Sequence, residues 1–186
     1  LYEKRMALSR IGTLFRETFF LQGELNVRAW RSNRGMPVKG DKKQYIEFED
    51  NSKEWDLDTE RELMTALLRN YRQQVTDAEY LPDFYKTIDE QFHGDYAAYV
   101  DRLYAKSKLM KSGKRLYFSK KSFMKDLGVK YGIDLVDVMG QLRAANALLN
   151  DDIAEQEKRL CAAVLRMEQD QPNYSDANFT LRMTYG

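Results

Sequence analysis

Residues 134–170 carry an apolar seam that limits the folds open to this chain. Leu135, Met139, Leu142, Leu149, Ile153, Leu160, Val164 and Met167 recur mostly at spacings that fit one side of a helix. A periodic stretch beyond about 25 residues predicts a rod or an antiparallel coil rather than a compact globule. Asn150-Asp151-Asp152 is the place where the stretch could divide in two.

The preceding sequence adds shorter helices. Residues 1–30 read as one helix, ended or bent at Gly23, with Ser32 to Pro37 as a break. Residues 38–57 are the least regular, a surface excursion across the helices, and from Asp41 to Glu62 acidic residues outnumber basic ones. A helix follows at Asp58-Thr59, where Thr59 and Glu62 have capping-box spacing, and Leu63, Leu67, Leu68 and Tyr71 supply its apolar face. Thr76 and Glu79 repeat that spacing. Pro82 suits the first turn of a helix bearing Phe84, Tyr85, Ile88 and Phe92. Another helix carries Tyr96, Tyr99, Val100, Leu103, Tyr104 and Leu109, and Ser119 caps a short one with Phe123 and Leu127.

A chain of 186 residues with 43% hydrophobic content can bury a core, and its 32% charged residues fit solvated helices. No transmembrane span is present, since no stretch approaches about 18 consecutive apolar residues. A net charge of +1 gives no global pull towards nucleic acid. Twelve Tyr and nine Phe read either as the seal of a helical core or as a contact face.

Catalytic signals are sparse. His93, the single histidine, reads as a helix-terminal residue meeting the dipole. Cys161, the single cysteine, reads as a buried small hydrophobe rather than a nucleophile. Asp151, Asp152 and Glu155 read as an acidic helix start rather than a cation site. No phosphate loop, zinc pattern or nucleophile elbow is found, so no catalytic, cofactor-binding or metal residue is assigned, and no cofactor is expected. Residues 106–125 hold Lys106, Lys108, Lys111, Lys114, Arg115, Lys120, Lys121 and Lys125 with no acid among them. They read as a solvated face that answers the acidic 41–62 region. The rival is a nucleic-acid surface with Tyr117 and Phe118 as stacking platform.

The last residues change character. Phe179-Thr180-Leu181-Arg182-Met183-Thr184-Tyr185 alternates with period two and reads as a strand lacking a partner. With Leu1 falling inside a helical pattern, this predicts a segment of a longer protein. The run from Tyr174 to Gly186 resembles the junction in bacterial dipeptidyl-peptidases of the type 7 and type 11 family, where Asp-Ala-Asn/Thr leads to Thr, Arg and Tyr-Gly. That resemblance implies a serine exopeptidase parent with a chymotrypsin-like double β-barrel, which removes dipeptides from free N-termini by a Ser-His-Asp triad. No triad member maps onto this chain. The resemblance implies junction roles for Asp176, Asn178, Thr180, Arg182 and Tyr185, with Arg182 and Thr184 on the strand's polar face.

The expected fold is therefore all-α: an elongated helical bundle with a long C-terminal hairpin or rod, plus one terminal strand belonging to a missing barrel. Residues 1–171 would form a helical lid, and residues 172–186 the junction. The implied partners are a peptide substrate and the parent's barrels, with no nucleic acid, and a homodimer of the parent is left open. The implied location is the periplasm, the cell envelope or the exterior. The competing expectation is a stand-alone helical interaction or scaffold domain without activity.

Overall fold

The computed structural model describes residues 1–20, 23–34, 44–47, 56–110, 115–118 and 123–167. Helices α1 (Tyr2–Phe19), α2 (Glu24–Arg34), α3 (Leu57–Gln74), α4 (Phe84–Phe92), α5 (Tyr96–Lys106) and α6 (Leu127–Met167) make up most of it. Short 3₁₀ turns at Ala78–Tyr80 and Lys108–Met110 join them. The helical class expected from the sequence holds, and Gly23 marks the break between α1 and α2. The expected terminal strand, with Asp176, Asn178, Thr180, Arg182, Thr184 and Tyr185, lies outside the described residues.

Helix boundaries follow local chemistry. Asp56, not Thr59, caps α3: its side chain accepts from the Asp58 and Thr59 backbone N–H groups, and the Thr59 hydroxyl donates to its Oδ2 at 2.8 Å. Two backbone N–H groups and the Thr59 hydroxyl therefore already have this carboxylate as acceptor before Glu62 is reached, which displaces the expected capping box. Asp95 caps α5 through the Ala98 N–H at 3.0 Å. Helix α4 ends where His93 turns left-handed (φ 53°) and Gly94 follows at φ 81°, its N–H donating to the Ile88 carbonyl at 3.1 Å.

Aromatic rings fill the centre. Phe19 lies 5.0 Å from Tyr71, and Phe84 lies 5.0 Å from Tyr131, each centroid to centroid. Buried hydroxyls are matched: Tyr71 donates to the Tyr80 carbonyl and Tyr85 to the Leu68 carbonyl, both at 2.8 Å. Burial raises the pKa of Tyr71, Tyr85 and Tyr99 far above the ordinary phenol range. These tyrosines therefore belong to the core and not to a contact face.

Helix α6 is anchored at one end. Asp126 Oδ1 accepts from the Gly128 and Val129 N–H groups at 3.0 and 3.2 Å, and from the Ser107 hydroxyl at 2.7 Å. Its Oδ2 accepts the Lys108 N–H at 2.6 Å. The helix packs on α1, α2, α4 and α5. It buries Val129, Tyr131, Leu135, Val138 and Leu142. Past Leu149, only Ile153 among the described residues is even partly buried, and Leu160 is 67% exposed. The seam is thus buried only in its first half. The helix is also continuous through Asn150-Asp151-Asp152, so these acids are not a helix start; Glu155 instead pairs with Arg159 at 3.1 Å. Cys161 is exposed because no other described element packs beside that part of α6, contrary to the buried expectation.

Two short strands, β1 (Gln44–Glu47) and β2 (Arg115–Phe118), form an antiparallel ribbon that the helical reading missed. The register pairs Glu47 with Arg115 and Tyr45 with Tyr117. The ribbon joins the backbone of the basic segment to that of the acidic region.

Candidate functional site

Concave surface forms where α1 and α2 cross α6. Two adjoining depressions of about 400 and 480 Å³ share Phe20, Met139 and Arg143 in their lining, so they form one trough. Phe20 reaches it because α1 ends at Phe19, and the turn leaves this ring 47% exposed. The Phe20 ring stacks on Trp30 at 4.6 Å, and Trp30 Nε1–H donates to the Phe19 carbonyl at 3.1 Å. That bond satisfies the indole and fixes its plane. Leu8, Phe15 and Leu142 continue the apolar floor.

Three cations line the trough: Arg16 from the last turn of α1, Arg31 from α2 and Arg143 from α6. All three are exposed, and none forms an ion pair with another described residue. No carboxylate is among the described lining residues.

Helix α2 is held firmly beneath it. Arg28 and Glu24 form a buried ion pair one turn apart, and Arg28 Nη1 also donates to the Leu109 carbonyl at 2.6 Å. The Glu24 N–H donates to Glu60 Oε1 at 2.8 Å, while the Tyr104 hydroxyl donates to Glu60 Oε2 at 3.0 Å. Burial raises the Glu60 carboxyl above its ordinary value, and the Glu24 charge adds to this. The Glu24 N–H, Tyr104 and Arg28 oppose it. The Tyr131 hydroxyl ties α6 to Asn26, whose side chain also lines the trough, at 2.8 Å. The trough thus sits on a connected polar network rather than on loose side chains.

The residues weighed from sequence lie elsewhere. His93 is an exposed helix cap, as expected. His93, Cys161 and the 151–155 acids are not brought together into a site, and the described residues hold no cluster suited to a metal ion. Sequence reasoning missed Arg16, Phe20, Arg31 and Arg143, because their proximity depends on how α1, α2 and α6 cross. The adjacent Trp30-Arg31 pair was the available signal.

The model of the peptidase S46 family matches residues 30–186. Dipeptidyl-peptidase 7 of Phocaeicola vulgatus is 33% identical over 152 residues, covering 78% of this chain and 20% of that protein. Dipeptidyl-peptidase 7 of Porphyromonas gingivalis is 34% identical over 148 residues, covering 75% and 21%. The Asp/Glu-specific dipeptidyl-peptidase of Porphyromonas gingivalis is 27% identical over 139 residues, covering 73% and 19%. The chain spans about one fifth of the length of these curated relatives.

Proposed function

The chain belongs to the peptidase S46 family, and from that premise we propose that it is the non-catalytic helical cap of a serine-type dipeptidyl-peptidase. In this reading residues 1–171 are the cap, and residues 172–186 lead into the catalytic barrels. The parent releases dipeptides from free N-termini. The cap closes over the cleft, limits access to chain ends and excludes water during acyl transfer. Its partners are the peptide substrate and the parent's barrels, and its place is the periplasm, the envelope or the exterior.

One observation carries the reading: the peptidase family match falls on a helical bundle that covers about a fifth of relatives named dipeptidyl-peptidases. The helical bundle supplies a rigid surface, and the nucleophile and its base would come from the parent.

The test uses the full-length parent with peptides bearing free or acetylated N-termini, and products are read by mass spectrometry. Dipeptides should appear only from the free set. Absence of cleavage, or equal cleavage of both sets, would overturn the proposal. Removing the helical segment should change kcat/KM or end-selectivity, and unchanged kinetics would argue against a cap. The exposed stripe of Leu160, Val164 and Met167 on α6 favours one other reading, a helical interaction domain. That reading requires a stable assembly in solution, so a clean monomer would count against it.

A further inference from the structure

The trough between α1, α2 and α6 combines an apolar floor with charge of a single sign, and those two properties together define a ligand. Phe20, Trp30 and Met139 offer a seat for an apolar side chain, with Phe20 and Trp30 already stacked. Arg16, Arg31 and Arg143 face that seat without a carboxylate among the described lining residues. Guanidinium groups that pair with no described carboxylate present planar pairs of donors that match carboxylates. Each depression falls within the roughly 300–1,000 Å³ of ligand clefts. The floor is fixed before any ligand arrives, through the Trp30 bond to the Phe19 carbonyl and the Tyr131 bond to Asn26. Preorganisation of this kind lowers the ordering cost of binding.

We propose that this trough binds an acidic peptide segment, with an apolar side chain against Phe20 and Trp30 and neighbouring carboxylates on Arg31 and Arg143. The inference rests on the cap reading only for the source of the peptide, a substrate chain lying beyond its cleaved end. Charge complementarity selects the acidic sequence, since a basic peptide would meet three like charges. Nucleic acid fits less well. Leu8, Leu142 and Met139 make much of the floor aliphatic, whereas base stacking uses aromatic platforms. Three arginines also form a small footprint beside the phosphate contacts that drive such binding.

The test is a fluorescence anisotropy titration of the full-length protein with a labelled, N-acetylated peptide containing leucine, phenylalanine and several Asp and Glu residues. Acetylation removes the free N-terminus that the proposed peptidase activity requires. The acidic peptide should bind, and its counterpart with lysine for each acid should bind at least about tenfold more weakly. The double variant Arg31→Gln/Arg143→Gln should weaken the acidic peptide about tenfold, and added salt should weaken it further. Phe20→Ala should weaken both the acidic peptide and a neutral one. Equal binding of acidic and basic peptides would overturn the proposal, as would no binding because other parts of the polypeptide cover the trough. Stronger displacement by a single-stranded oligonucleotide than by unlabelled acidic peptide would overturn it as well. Dipeptide release is measured on the same preparations. A protein without that activity that still binds the acidic peptide loses the cap reading and keeps the trough. An active one that fails to bind loses the trough alone.

Discussion

Tyr131 and Asn26 stand 105 positions apart and meet inside the bundle, where the tyrosine hydroxyl donates to Asn26 Oδ1 at 2.8 Å. Both are buried, and burial pushes the Tyr131 phenol well above its ordinary range, so it remains a donor at any physiological pH. Tyr131→Phe removes the donor and leaves the amide oxygen without it. The expected loss is about 1–2 kcal/mol in chemical denaturation. In a double-mutant cycle with Asn26→Ala the two changes should be less than additive, and full additivity would show that the bond contributes nothing.

Gly128 packs where no side chain fits. A Cβ there would overlap the Ser107 hydroxyl and come within 2.9 Å of Leu109 Cδ1, both at the anchor of α6. Gly128→Ala should therefore destabilise by about 1–3 kcal/mol. Gly140 lies on the same helix with open space around its Cβ position, so Gly140→Ala should stabilise by about 0.5–1 kcal/mol. The signs of the two shifts in denaturation midpoint are the check.

Asp134 holds its proton to a higher pH than an ordinary carboxyl. Burial raises its carboxyl to about 6, the nearby Asp83 and Asp137 add to this, and the Phe84 N–H bond and Lys130 oppose it. The folded chain thus holds this proton over a range where the unfolded chain, at 3.8, has released it. Stability from this group is greatest below that lower value, falls as pH rises towards about 6, and stays low above. Asp134→Asn keeps an acceptor for Phe84 and should flatten this part of the stability–pH profile. At pH 7 it should gain on the order of 1 kcal/mol after solvent screening. A profile unchanged between pH 4 and 7 would contradict this.

The Arg28–Glu24 pair is buried, and Arg28 also serves the Leu109 carbonyl. Arg28→Ala leaves a buried carboxylate and a carbonyl without that donor, and should cost about 3–5 kcal/mol. The doubly apolar variant Glu24→Leu/Arg28→Met should recover part of this, measured by urea denaturation. A single variant as stable as the parent chain would show the pair to be dispensable.

Cys161 offers a probe of the outer part of α6. Its exposure predicts labelling by a maleimide reagent in the native state at close to the rate seen in denaturant. Protection of tenfold or more in the full-length protein would show that another part of the polypeptide covers this face.

Much of the helical plan was legible because apolar spacing alone specifies it: Phe84, Tyr85 and Ile88 on one helix, Tyr99, Val100 and Leu103 on the next. The cap of α3 shifted to Asp56 because several residues there can accept the same N–H groups, and only geometry selects among them. The burial of the last seam was misread for a different reason. Periodicity says which face of a helix is apolar, but not whether another element lies beside it, so Leu160 and Cys161 looked internal. The β1–β2 ribbon was missed because four-residue strands joined across a separation of about seventy residues leave almost no local signal. The trough was illegible for the same non-local reason, since Phe20 and Arg143 belong to opposite ends of the chain.

Helix α6 is seated against the core as far as Leu149 and runs on to Met167. At about 1.5 Å per residue, that further reach is roughly 27 Å. It works geometrically as a lever arm: a tilt of about 10° where it leaves the core sweeps Met167 through about 5 Å. Small repacking around Ala145 and Leu149 would therefore displace Met167 further than it displaces the residues that repack.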